Sequence, residues 1–167
     1  MLYIRKANSN HVNGISDVCT KANWTTYINL HKKNYIQRVI NKYYNYERIL
    51  NKVTNTDKEW GGYFVALDNN QVVGACGGGI IEDEVGEIYV LYIRPDRRNE
   101  GIGTMLLTAV TKQQKEEYQA KEQWVSVQKD NNLGIPFYEA KGFCFMNVED
   151  GLDDEDNYIS LRYRRFL

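Results

Sequence analysis

Arg98-Asn99-Glu100-Gly101-Ile102-Gly103-Thr104 stands between a run of strand formers, Ile88 to Ile93, and the helix-like sequence Met105-Leu106-Leu107-Thr108-Ala109-Val110. Two glycines at such a junction let the backbone approach a ligand with no Cβ in the way, and the unpaired N–H groups of a helix's first turn point at the same spot. The helix dipole adds roughly half a positive charge there. Arg94, Arg97 and Arg98 crowd the same turn, so a polyphosphate is the natural guest.

What the loop lacks narrows the choice. A dinucleotide-binding turn has a third glycine where this chain has Leu106, followed about 20 residues on by an acidic residue that is missing here. A Walker loop needs Gly-Lys-Ser/Thr, and the chain contains no such tripeptide. What remains is Arg-x-x-Gly-x-Gly behind the strand Glu87-Ile-Tyr-Val-Leu-Tyr-Ile-Arg-Pro95. This resembles the acetyl-CoA motif of the GNAT superfamily of N-acetyltransferases.

A second block agrees with the first. After the strand-like Gln123-Trp-Val-Ser-Val127 comes Asn131-Asn-Leu-Gly134-Ile-Pro-Phe137-Tyr138-Glu-Ala-Lys-Gly142-Phe143, similar to the family's N-x-x-A-x-x-F-Y-x-x-x-G-F signature. Gly134 and Pro136 depart from that pattern and disfavour a helix beginning at Asn131. The spacing instead predicts a start near Gly134 with Pro136 in the first turn. The resemblance extends over residues 2 to 165, with the acceptor side outside both specific blocks.

A chain of 167 residues is read as one domain, 1–167, with room for a sizeable core. A net charge of −1 gives no global field toward nucleic acid or an anionic membrane. The apolar run Ile88 to Ile93 is too short to span a bilayer, and the alternating start Met1-Leu-Tyr-Ile-Arg-Lys does not resemble a secretory segment, so the expectation is a soluble, cytoplasmic protein. Cys19, Cys76 and Cys144 are odd in number and far apart, and His11 and His31 are the only histidines. No disulfide and no metal site are expected, and the thiols read as core residues.

Leu2 to Lys6 alternates as a strand, and Asn8-Ser-Asn offers caps ahead of the helical spacing Val12, Ile15, Val18, Cys19. Residues 33 to 53 hold one or two amphipathic helices, with Ile36, Val39, Ile40 and Tyr43, then Tyr46, Ile49, Leu50 and Val53, on the apolar side. Gly62 to Leu67, the turn Asp68-Asn-Asn70 and Val72 to Ile81 read as a hairpin. Its glycines, Gly77 to Gly79, require either a close approach to the backbone or a bend. Next come the turn Glu82-Asp-Glu84, the strand Glu87 to Ile93, a helix over 102–118 and strand 123–127. A short helix to Lys141 and strands over 142–148 and 157–164 follow. Between the last two lies Glu149 to Asp156, six acids in eight residues, a solvated hairpin tip or a lure for a cationic amine.

This order predicts an α/β chain with a mixed sheet and helices on both faces. The GNAT resemblance implies further that the strands at 87–93 and 123–127 splay into a slot for the pantetheine arm. It also implies acetyl-CoA as acyl donor, bound through the backbone of Arg98, Asn99, Gly101, Gly103 and Thr104, the Arg98 side chain and Asn131. The backbone amides of Leu91 to Ile93 then flank the thioester carbonyl. Tyr138 is the candidate acid for the leaving thiol. Glu87 is the candidate base, with Glu82, Asp83 and Glu84 in reserve.

The implied activity is N-acetylation of a primary amine by direct attack in a ternary complex. A small-molecule acceptor is favoured, a polyamine or an aminoglycoside-like compound among them, with a protein amino group as the other possibility. Trp24, Tyr27, Tyr35, Tyr43, Tyr44 and Trp60 fall where they would wall the acceptor site, or else they are core. The alternative function is a non-catalytic acyl-CoA sensor or interaction module. A nucleic-acid reading would use the arginine-rich turn with Arg162, Arg164 and Arg165, and the near-zero net charge disfavours it. A monomer and a homodimer are both compatible with the sequence.

Overall fold

Leu2–Lys6 forms β1 and pairs antiparallel with β2, Tyr63–Asp68, through the register Leu2↔Asp68 to Lys6↔Phe64. A computed structural model describes residues 1–150 and 158–167, so most of the acidic stretch Glu149 to Asp156 lies outside the described residues. Asn8 caps a short 3-10 turn, its side chain accepting from the Asn10 amide, and α1 follows as Val12–Tyr27. The region expected to hold one or two helices holds two, α2 (Lys33–Tyr43) and α3 (Tyr46–Thr54), separated where Asn45 caps α3 through the Arg48 amide.

Asn69 and Asn70 take left-handed φ of 49° and 64° in the turn between β2 and β3 (Gln71–Glu82), as an asparagine pair can. Then come β4 (Val85–Ile93), α4 (Ile102–Lys112), β5 (Glu122–Gln128), α5 (Gly134–Ala140), β6 (Cys144–Asp150) and β7 (Ile159–Phe166). Two boundaries differ from the sequence reading in a way that matters. β4 begins two residues before Glu87, so Glu87 lies inside the strand. The helix over 102–118 gives way at Gln113–Glu117 to a wider π turn. α5 starts at Gly134 with Pro136 in its first turn, as the spacing predicts.

The seven strands form one sheet in the order β1-β2-β3-β4-β5-β7-β6. Among the described residues only β4 and β5 are parallel, and their pairing runs from Val85↔Glu122 to Ile88↔Val125 and stops. Beyond it residues 89–93 and 126–128 diverge, which is the splay the resemblance implies. One core lies under α4 and α5, where Ile102, Leu106 and Val110 repeat every four residues and meet Ile88, Val125, Tyr138 and Phe143. The other lies under α1 and α3 and contains Val12, Ile15, Ile49, Val65 and Ala75. Helices thus cover both faces and the splay opens between them.

Candidate active site

A cleft of about 710 Å³ occupies the divergence. Its walls are the free edge of β4, the opposing Val125 to Val127 of β5, the turn from Arg97 into α4, and Asn131 to Tyr138. The Arg94 amide donates to the Val73 carbonyl at 2.9 Å, which fixes the alternation along β4. Tyr92 and Val90 therefore present their N–H groups to β3 as well, while those of Leu91 and Ile93 face the cleft without a strand partner.

Gly101 closes the turn with φ 80°, Asn99 precedes it at φ 65°, and space beside Gly101 is open where a Cβ would stand. The first intrahelical bond runs from the Met105 amide to the Gly101 carbonyl at 3.1 Å, leaving the amides of Ile102, Gly103 and Thr104 without helical partners at the cleft. Gly103 packs against the Phe137 ring, so its small size also serves the contact between α4 and α5.

The three arginines of the turn separate. Arg94 Nε donates to Asp96 at 2.7 Å. Arg97 bridges Glu100 at 2.8 Å and Asp68 at 2.9 Å, and these two hydrogen bonds push its pKa further up. Arg98 meets only the Thr26 hydroxyl, at 3.3 Å, with no carboxylate among the described residues, and burial lowers its pKa from the ordinary value. A cation held this way lacks a counter-charge, which an anionic ligand in the cleft would supply. Arg98→Ala is expected to weaken acetyl-CoA binding about tenfold to a hundredfold, the worth of one charge-assisted hydrogen bond. Arg94→Ala should leave it nearly unchanged. Isothermal titration of both variants checks the contrast.

Tyr138 is buried on α5, edge-on to Phe137 and Phe143 at centroid distances of 5.2 and 5.4 Å. The residue lines the cleft, and its hydroxyl makes no hydrogen bond among the described residues. Burial pushes its pKa well up, so the phenol stays protonated at any working pH. Asn131 also lines the cleft, with its Oδ1 committed to the amides of Leu133 and Gly134 at 3.1 and 2.9 Å. It therefore caps α5, leaving its amide nitrogen as the group available to a ligand.

Glu87 is not in the cleft wall. Ile88 and Val125 belong to the core under α4, so alternation puts Glu87, Trp124 and Ser126 on the opposite face of the sheet. There the Glu87 carboxylate pairs with Arg162 Nη1 at 2.5 Å, and both side chains are mostly buried. Arg162 also donates to Ser126 Oγ at 2.7 Å and sits over the Trp124 ring. Burial raises the Glu87 pKa, the Arg162 charge pulls it back only in part, and Glu149 adds a further upward push. A carboxylate that holds its proton above the usual range is a stronger base.

Of the reserve carboxylates, Glu82 ends β3 and Asp83 and Glu84 form the turn that follows, where Glu84 takes φ 63° and pairs with Lys121 at 2.8 Å. Among the expected aromatic walls, Tyr27 lines the cleft, Tyr44 is core, and Trp60 packs on Tyr63 and Tyr89. Tyr35 joins His31 and Tyr158. The arginines of the nucleic-acid reading are engaged by the chain itself. Arg162 pairs with Glu87, Arg164 lies over Trp124 and Phe166, and Arg165 bonds Gln123, Lys141 and Thr111. Cys19 and Cys76 are buried as expected, whereas Cys144 is exposed. Among the described residues no cluster of three metal-ligating side chains occurs and no helix is long and apolar enough to cross a membrane.

A family profile described as "Acetyltransferase (GNAT) family" matches residues 24–143. A spermidine N(1)-acetyltransferase of Thermoplasma acidophilum is 26% identical over 161 residues, 96% of each chain. An N-alpha-acetyltransferase of Saccharolobus solfataricus is 32% identical over 63% of this chain and 71% of its own. Among solved structures, the PaiA N-acetyltransferase of Thermoplasma acidophilum in complex with coenzyme A superposes with a TM-score of 0.83 at 24% identity, over 100% of this chain and 99% of that one.

Proposed function

The chain belongs to the GNAT acetyltransferase family and is an acetyl-CoA-dependent N-acetyltransferase; from that premise we propose that its acceptor is a primary amine of a small molecule, a polyamine foremost, attacking directly in a ternary complex. The observation that carries the reading is a single cleft that joins the unpaired Leu91 and Ile93 amides, the free first turn of α4 with Arg98, and Tyr138. The polyamine preference draws on the spermidine-acetylating relative and on three carboxylates: Glu59 and Glu87, whose charges both bear on Tyr89, and Glu149, whose charge bears on Glu87.

Acetyl-CoA supplies an activated thioester when bound. The pyrophosphate falls to the amides of Arg98 through Thr104 and the Arg98 guanidinium, and the pantetheine arm to the slot and Asn131. The Leu91 and Ile93 amides offer donors to the developing oxyanion, each worth about 3–4 kcal/mol, and no side-chain substitution removes them. An alkyl ammonium is only about 0.1% neutral at pH 7.4, so taking its proton is worth roughly 4 kcal/mol, and that work is assigned to Glu87, which stands outside the cleft wall on the opposite face of the sheet and would serve an acceptor entering from that side, directly or through water. Tyr138 holds a proton at Oη for the departing sulfur. Tyr138→Phe is expected to lower kcat about tenfold to a hundredfold with little change in KM, measured by thiol release. An unchanged kcat would make the hydroxyl a packing group.

Thermal unfolding with acetyl-CoA, with NAD and ATP as controls, tests the donor site. Ligand at 100 times its Kd adds about 2.7 kcal/mol, or roughly 5–10 °C. Thiol release with spermidine set against a peptide amine then tests the acceptor class. A preference for the peptide overturns the small-molecule assignment, and binding without turnover of any amine favours the sensor alternative.

A further inference from the structure

At the apex of the cleft β4 carries a bulge. Its register with β3 jumps from Gly77↔Val90 to Gly78↔Ile88, so Tyr89 has no partner, and the parallel pairing with β5 ends at the same Ile88. A bulge removes carbonyls from the ladder. Gln114, fully buried, donates from Nε2 to the Glu87 carbonyl at 2.9 Å and reaches the Gly79 carbonyl at 3.5 Å. Its Oε1 accepts from Gln123 Nε2 at 3.0 Å, and Gln123 in turn accepts from Arg165 Nε at 3.0 Å.

The π turn over Gln113–Glu117 accounts for this reach. Widening the last turn aims two consecutive residues inward, so that Gln113 bonds the Gly61 carbonyl at 2.9 Å while Gln114 enters the sheet. Gly78 and Gly86 make room: a Cβ at either would collide with the Gln114 amide. A buried amide with its donors and acceptor directed at separate backbone and side-chain partners fixes geometry more than it adds stability.

We propose that Gln114 is a positioning residue for acetyl-CoA: by holding the Glu87 carbonyl at the bulge it sets where β4 leaves β5, and hence the placement of the Leu91 and Ile93 amides along the slot. The inference rests on the assignment of the cleft as the donor site. Gln114 touches neither reactant and acts through the backbone of β4. The neighbouring Gln113 makes a buried bond of the same kind to a segment outside the cleft, which separates positioning from a general loss of buried hydrogen bonding.

The test compares Gln114→Met with Gln113→Met by acetyl-CoA titration and by amide hydrogen exchange of Val90 and Tyr92, the β4 residues bonded to β3. Gln114→Met is expected to weaken acetyl-CoA binding about tenfold and to speed exchange at both amides, misplacement at the site being the cause. Gln113→Met should lower the melting temperature comparably and leave binding and those amides within twofold. Should Gln114→Met not fold, Gln114→Glu serves, since a buried carboxylic acid keeps one donor while protonated. Its binding is expected to approach wild type at low pH and weaken as the pH rises. Equal losses in both methionine variants, unaltered binding in Gln114→Met, or pH-independent wild-type binding in Gln114→Glu overturns the inference. A wild-type protein that binds no acetyl-CoA instead overturns the assignment of the cleft.

Discussion

Glu87→Gln is expected to lower kcat about a hundredfold to a thousandfold while the acetyl-CoA KM stays within a factor of about two. On the proposed assignment of Glu87 as the base, the glutamine keeps the shape and a contact for Arg162 but cannot take a proton from the acceptor. The pH profile distinguishes this from a structural loss. The base works only when ionised, and burial raises its pKa, so wild-type kcat/KM should decline as pH falls through a value above the ordinary carboxylate range. Glu87→Gln should erase that limb. Arg162→Gln removes the charge that pulls the Glu87 pKa down and so should move the limb to higher pH. A Glu87→Gln enzyme with normal kcat and an unchanged acid limb would refer the base to another group.

The loop and the strand before it were legible because their physics is local. A helix start after Gly-x-Gly and a six-residue apolar run need no tertiary knowledge, and both stand where the spacing predicts. The pairings of Arg94 and Arg97 were not legible in this way. Asp68, which holds Arg97, comes from another strand, so three arginines adjacent in sequence read as one patch until the fold separated them. Arg162 was visible only as part of a basic cluster, since its partner Glu87 sits two strands away across β5. The π turn was also hidden. Its glutamines stand inside the helix expected over 102–118, and their burial needs partners distant in sequence, the Gly61 carbonyl for Gln113 and the Glu87 carbonyl at the β4 bulge for Gln114.

The glycine run 77–79 offered two explanations, a close approach or a bend, and both hold at Gly78. The register shifts beside it, and a Cβ there would strike the Glu87 carbonyl and the Gln114 amide. Gly78→Val is therefore expected to destabilise the protein by about 3–5 kcal/mol, combining overpacking against backbone with displacement of the amide that satisfies a buried carbonyl. At roughly 2–4 °C per kcal/mol for a chain of this size, the melting temperature should fall by about 6–20 °C. Gly101→Ala gives the contrast. Space is open at that position and only its φ of 80° opposes a side chain, so the cost should be near 1–2 kcal/mol, the ordinary penalty for a left-handed residue. Denaturant midpoints for the two variants measure the difference. A Gly78→Val protein no less stable than Gly101→Ala would mean that β3 can shift away from β4 at the bulge, and the apex of the cleft would then be a flexible joint.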